Sequence, residues 1–154
     1  MSPEMFWRAY LATLPADHPA HTLPTPVAEG FGDSPALAEE LGQLIYRGIK
    51  TATCASLWEH EAEGCPIPMV GQYDIVLDGQ GKPLAINELT EVTIRPFDEV
   101  DAAFAFEEGE GDRSLESWRD GHWRFFSRTL AKIGRTADPK MPLVCQRFRV
   151  VFRR

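Results

Sequence analysis

A chain of 154 residues and 17.3 kDa is the size of one domain with room for a terminal appendage, and its 44% hydrophobic and 25% charged residues are those of a soluble globular protein. Sixteen Lys and Arg against 23 Asp and Glu leave a formal net charge of -7, which excludes a general electrostatic glue for nucleic acid. No apolar run approaches the roughly 20 residues of a membrane span, and no charged-apolar-small leader opens the chain, so no membrane partner is expected.

Residues 2–14 place Phe6, Trp7, Tyr10, Leu11 and Leu14 near helical spacing and predict a short amphipathic helix. Residues 15–26 carry Pro15, Pro19, Pro24 and Pro26, which fix φ and remove donors, so an extended linker is expected. The domain division read from this is 1–26 as helix and linker, 27–154 as the domain proper. Asp33 or Ser34 before Pro35 marks a helix start, and Leu37, Leu41, Leu44 and Ile45 form its apolar stripe. Small and β-branched residues predict a strand over 50–57, followed by an acidic loop over 58–71. Tyr73, Ile75 and Leu77 alternate with polar neighbours, Asp78-Gly79-Gln80-Gly81 is a turn signal, and residues 84–94 return as a strand that Pro96 breaks.

Residues 98–106 predict a short helix and Gly109-Glu110-Gly111-Asp112 a flexible acidic turn. Residues 114–133 predict a long helix with Leu115, Trp118, His122, Phe125, Phe126, Leu130 and Ile133 near one side, and residues 144–152 a final strand. This order defines an α+β fold with mostly antiparallel pairing, which a small, partly closed β-barrel flanked by helices accommodates.

Three cysteines, Cys54, Cys65 and Cys145, are too few and too odd for a disulfide framework and fit a reducing, cytoplasmic setting. Cys54, His60 and Cys65 read as separate thiols and a surface imidazole, because no C-x-x-C or H-E-x-x-H accompanies them. No metal or other cofactor is expected.

Four groups of residues have chemistry open to them. Lys50, Thr51 and Thr53 lie where a helix gives way to a strand. A desolvated Lys has a lowered pKa and can activate a hydroxyl, whereas a solvated strand edge would use the same residues for nothing more than β propensity. An extended backbone puts Lys50 and Thr53 on opposite faces, and a turn lets them converge. Glu107, Glu108, Glu110 and Asp112 form an acidic cluster that is either a proton donor, a divalent-metal site or a solvated loop. Trp58, Trp118, His122, Trp123, Phe125 and Phe126 are core or stacking surfaces, with Trp58 the most exposed candidate. Arg147, Arg149, Arg153 and Arg154 make the only basic concentration, fit for phosphate or for solubility.

Taken in order, FGDSPALAEEL, GIKTAT, LWEHE, VGQYDIVLDGQGKP, FAFEEGEGDRSLESW and HWRFF resemble the longer bacterial ASCH-domain proteins over about residues 31–152. The resemblance implies a PUA-like fold: a small, mostly antiparallel β-barrel with helices around a cleft. Short members of the family deacylate N4-acetylcytidine and related N4-acylcytidines with a Lys, a Thr three residues on, and a Glu in A-x-x-E. By that resemblance Lys50 and Thr53 match K-x-x-T, and Ala105-Phe106-Glu107-Glu108 gives Glu108 the third role. Lys50, its charge disfavoured by burial, would deprotonate Thr53, and a protonated Glu108 would serve the leaving amine. Ser56, Trp58, Glu59 and Glu110 would hold the substrate. Ala55 departs from the Arg that short members often carry two residues past the Thr. Longer members resemble single-stranded RNA binders or ribonucleases, so the second expected partner is single-stranded RNA in the same cleft, with Lys50 and Arg147 or Arg149 on phosphate and the acidic cluster recruiting a metal.

Overall fold

A computed structural model describes all residues from 1 to 154. Its elements are α1 (Pro3–Leu11), β1 (Ala28–Glu29), α2 (Pro35–Tyr46), β2 (Ala52–Ser56), α3 (Leu57–Glu63), β3 (Tyr73–Leu77), β4 (Pro83–Pro96), α4 (Ala102–Glu108), α5 (Leu115–Ala131) and β5 (Pro142–Arg153), with 3-10 turns at Pro19–Thr22 and Phe97–Glu99. The five strands form one sheet in the order β1-β3-β4-β5-β2. β3 pairs antiparallel with β4 and β2 with β5, while β1 joins β3 in parallel. The fold is α+β as expected, but the sheet is mixed and open. Its two edges, β1 and β2, do not pair with each other, so the expected barrel does not close.

The chain divides into two compact units, and β4 and β5 each contribute residues to both. The first unit holds residues 1–48, 72–88 and 149–154. Ser2 caps α1 by accepting from the Met5 amide, Pro3 opens it, and Phe6, Trp7 and Tyr10 project from one face. That face buries against Ile75 and Ile86 of the sheet, with Tyr73 and Phe152 closing the cluster. Each large side chain so buried contributes roughly 1.5–3 kcal/mol, which holds the amino-terminal helix in place. The proline segment is not wholly extended: His18 caps the 3-10 turn, and Ala20 enters the same core.

This unit also stores an unsatisfied polar pair. Asp74 and Asn87 face each other in the β3–β4 register, and Asp74 Oδ2 and both Asn87 amide atoms are buried without hydrogen-bond partners. Burial, with Glu29 nearby, outweighs the facing Asn87 side chain and lifts the Asp74 carboxyl to about 7. A folded-state pKa above the unfolded value gives stability that is complete below the ordinary aspartate range and lost as pH rises through 7. Asp74→Asn is therefore expected to stabilise the protein by roughly 2 kcal/mol at pH 8, discounted for its half-buried setting, and to add little at pH 4. Urea midpoints at the two pH values check it.

The second unit holds residues 49–71 and 89–148. Its core is Ala52 and Cys145 from the strands, Phe97 and Val100, Phe104 and Ala105 from α4, and Trp118, Phe126 and Leu130 from α5. Asp101 caps α4 by accepting from the Phe104 amide, and Ser114 caps α5 by accepting from the Ser117 amide.

Candidate active site

Apart from Arg149, Arg153 and Arg154, which belong to the first unit, the groups with chemistry to offer lie in the second unit. Lys50 ends the connection into β2, where the Thr51 amide donates to the Glu107 carbonyl at 2.8 Å and the Phe148 amide donates to the Thr51 carbonyl at 3.1 Å. The backbone around Lys50 is thus tied to both α4 and β5. Glu108 is the last residue of α4, which Gly109 terminates in the left-handed conformation at φ 74°. The same turn carries Glu110, and Asp112 accepts from the Ser114 amide to start α5.

Lys50 and Glu108 are each 1% exposed. The Lys50 Nζ donates to Glu108 Oε1 at 3.0 Å and to Glu110 Oε2 at 3.1 Å. Glu108 Oε2 accepts from Trp118 Nε1 and faces His122 Nε2 at 2.9 Å, with Cys54 Sγ at 3.7 Å. His122 Nε2 also lies 3.9 Å from Glu110 Oε2, and its Nδ1 is 2.9 Å from the Trp118 carbonyl. Trp118 and His122, one helical turn apart on α5, stack at 4.2 Å with an interplanar angle of 16°.

The charges follow from this packing. Burial pulls the Lys50 pKa down, but Glu108 and Glu110 together more than reverse it. Burial pushes Glu108 up, and the Lys50 and His122 charges with the hydrogen bonds from His122 and Trp118 outweigh it, so the carboxyl lies well below its usual range. The resting pair is an ammonium and a carboxylate. That corrects the expected neutral amine and protonated carboxyl: desolvation is present, but each group has brought its counter-charge inside with it.

The remaining expected residues fall in different places. Thr53 follows Ala52 and precedes Cys54, both of which belong to the core on the Glu108 side. Strand alternation turns Thr53 to the other face, and its hydroxyl makes no hydrogen bond to Lys50. Ser56 is fully buried, and its hydroxyl caps α3 by accepting from the Glu59 amide. That cap makes a helix of the segment expected to be a loop, and it carries both Trp58 and Glu59. Trp58 is not an open platform. It packs partly on the core, and the Arg135 guanidinium lies 4.5 Å over its ring. Glu59 is half-buried, which raises its pKa. Arg147 is clamped by Glu91 and Glu107, whose hydrogen bonds hold its pKa above the ordinary value. Arg149 pairs with Glu88, Arg154 with Asp78, and Arg153 donates to the Tyr46 carbonyl, so each carboxy-terminal arginine has a protein acceptor.

Cys54, Glu108 and His122 offer ligand atoms within 4.8 Å of one another, a spacing open to a divalent ion. The residues present do not fit one. The Lys50 ammonium already neutralises the carboxylate, and burial beside Glu108 pushes the Cys54 thiol well above its ordinary pKa, away from the thiolate a metal needs. His122 and Trp118 are the functional neighbours whose contacts the sequence reading did not anticipate. The signal available was a titratable ring on the apolar side of a helix, where a buried polar group requires a partner.

The family model described as the ASCH domain matches residues 27–152, and the chain belongs to that family. Among solved structures it is similar to an ASCH domain from Lactobacillus crispatus JV V101, at 33% identity and a TM-score of 0.90, covering 97% of this chain and 93% of that one. It is also similar to protein EF3133 from Enterococcus faecalis V583, assigned to DUF984, at 41% identity and a TM-score of 0.85, covering 96% of this chain and 86% of that one. No curated protein sequence matches it significantly. No helix is long and apolar enough to cross a membrane.

Proposed function

We propose that this ASCH-domain protein is an amidohydrolase that removes the acyl group from N4-acetylcytidine or a related N4-acylcytidine. The observation that carries the reading is the buried Lys50–Glu108 contact at 3.0 Å between residues 58 positions apart, with Glu110 on the same ammonium. Burial of an ion pair is a poor route to stability, so a site that keeps one is a candidate for chemistry. Lys50 donates to an oxygen without giving up its charge, and it stabilises the oxyanion of the attacked carbonyl. Glu110, 30% exposed, is the carboxylate nearest solvent and takes a proton from the attacking water. The carbon–nitrogen bond breaks, the exocyclic amine takes a proton from the Glu108 side, and cytidine and a carboxylic acid leave. Water is the nucleophile in this scheme, because the hydrogen bonds of Lys50 go to Glu108 and Glu110 and not to Thr53. A single nucleoside needs no basic surface, which suits a net charge of -7 and arginines already paired.

Purified protein incubated with N4-acetylcytidine is expected to release cytidine. Lys50→Ala and Glu108→Gln are expected to lower kcat/KM by about a hundredfold or more, and Thr53→Val to leave it within a few fold. A hundredfold loss in Thr53→Val would restore the acyl-enzyme route through that hydroxyl. Full turnover by Lys50→Ala, or an inert wild type that binds single-stranded RNA with strong salt dependence, would replace the reading with the RNA one.

A further inference from the structure

The ring of His122 is held between two oxygens. Its Nδ1 lies 2.9 Å from the Trp118 carbonyl and its Nε2 lies 2.9 Å from Glu108 Oε2. A carbonyl oxygen only accepts, so Nδ1 carries hydrogen. Glu108 Oε1 is taken by the Lys50 ammonium, and Oε2 already accepts from Trp118. A neutral imidazole with hydrogen on Nδ1 would aim a lone pair at this carboxylate. The contact at 2.9 Å is a hydrogen bond only if one further proton sits between the two groups. The indole of Trp118, stacked at 4.2 Å, presents its electron-rich face to the ring and favours the cationic form.

We propose that His122 is a positioning residue that stores a proton against Glu108 at neutral pH, the proton that the departing amine receives. This rests on the amidohydrolase reading for the use of the proton, though not for its presence. The charge balance agrees: Lys50 and His122 are cations, Glu108 and Glu110 anions, and the cluster closes on zero. The titratable groups that face His122 are Glu108 and Glu110 from α4 and its turn, Lys50 from the entry to β2, and the Cys54 thiol of β2. Burial opposes its charge, but the two carboxylates outweigh burial and Lys50, leaving its pKa raised. His122 is 13% exposed and Glu110, 30% exposed, lies beside its Nε2, so the store is refilled through Glu110 without opening the Lys50–Glu108 pair. In the reaction, the His122–Glu108 pair gives its stored proton to the amine nitrogen as the carbon–nitrogen bond breaks. Glu110, which took one from water, returns it across the 3.9 Å to His122 Nε2. Protons balance over the cycle, and no other reactant is needed.

The test uses the full chain labelled with 15N-histidine, the His122 signal being the one that His122→Gln removes. The expected spectrum at pH 7.5 shows both ring nitrogens protonated. A spectrum with one nitrogen bare at that pH overturns the proposal. Turnover gives the second arm. His122→Gln keeps an N–H donor toward Glu108 but cannot store a proton. It is expected to lower kcat by about a hundredfold and to flatten the alkaline limb of the pH–rate profile. An active wild type whose His122→Gln variant has the same kcat and the same profile overturns the proposal and leaves the amidohydrolase reading standing. An inert wild type with a doubly protonated His122 upholds the stored proton and overturns the reading instead.

Discussion

Glu108→Leu is expected to lower stability by about 3–5 kcal/mol in urea unfolding at pH 7. The carboxylate is the counter-charge of two buried cations, Lys50 and His122, and the acceptor for Trp118 Nε1. Deleting it leaves an ammonium with only the half-exposed Glu110 and an imidazolium facing hydrocarbon. Both must be paid for in desolvation. Lys50→Met is expected to cost a similar amount, because Glu108 then keeps only His122 as a charged partner. The double variant Lys50→Met/Glu108→Leu is expected to cost less than the sum by about 2–3 kcal/mol, since neither change then strands a charge opposite the other. The pH dependence has a definite sign. Glu108 lies below its unfolded pKa, so its stabilising contribution is present above the ordinary glutamate range and lost as acid protonates it. His122 lies above its unfolded value, so its contribution is complete below that value and fades as pH rises through the folded one. The cluster is most stabilising between the two. A loss below 1 kcal/mol for Glu108→Leu would mean that the pair is not charged in the folded protein.

Local chemistry made much of this legible in the sequence. Ser34-Pro35 opened α2 where capping demands it, and the alternation of Tyr73, Ile75 and Leu77 gave β3. Lys50, Thr53 and Glu108 came from the family resemblance and not from local chemistry; of these Lys50 bonds to Glu108, and to Glu110 in the turn after it, without Thr53. What was illegible depended on orientation or closure. Two residues, Ala28 and Glu29, are too short a run to carry a period, yet they add the parallel edge strand. Whether five strands close into a barrel is decided by edge pairing, which no single strand encodes. Thr53 shows the parity problem most plainly: sequence spacing of three is compatible with either face, and in β2 Thr53 alternates with Ala52 and Cys54 while the Lys50 ammonium bonds to Glu108 and Glu110. The α3 helix was legible and overlooked. Ser56 followed by Glu59 is a cap pattern, and Gly64 at φ 67° is its stop. Charge states were the least accessible of all, because they depend on which counter-charges arrive beside each group.

Gly109→Ala is expected to destabilise by about 2–5 kcal/mol and to disable the site without touching any group in it. Gly109 ends α4 at φ 74°, where an ordinary side chain costs about 1–2 kcal/mol. A Cβ there would also lie 2.7 Å from the Ile49 carbonyl oxygen, closer than Cβ atoms come to any neighbour, and 3.0 Å from its carbon. The obstacle is backbone, so it cannot rotate aside. Ile49 is one residue before Lys50, and Gly109 lies between Glu108 and Glu110, so relieving the clash moves the ammonium away from both carboxylates. The same carbonyl accepts from Arg113, whose guanidinium lies 3.6 Å over the Phe106 ring, so the turn has no slack in that direction either. Gly48 supplies the control. It has φ 76°, and a Cβ there would meet nothing within 4 Å, so Gly48→Ala is expected to cost only the conformational 1–2 kcal/mol or so. The excess of Gly109→Ala over Gly48→Ala, read from urea midpoints, measures the close approach, and cytidine release is expected to fall in the first variant and persist in the second. Equal losses would show that the turn yields, and that Lys50 is not held by the backbone of α4.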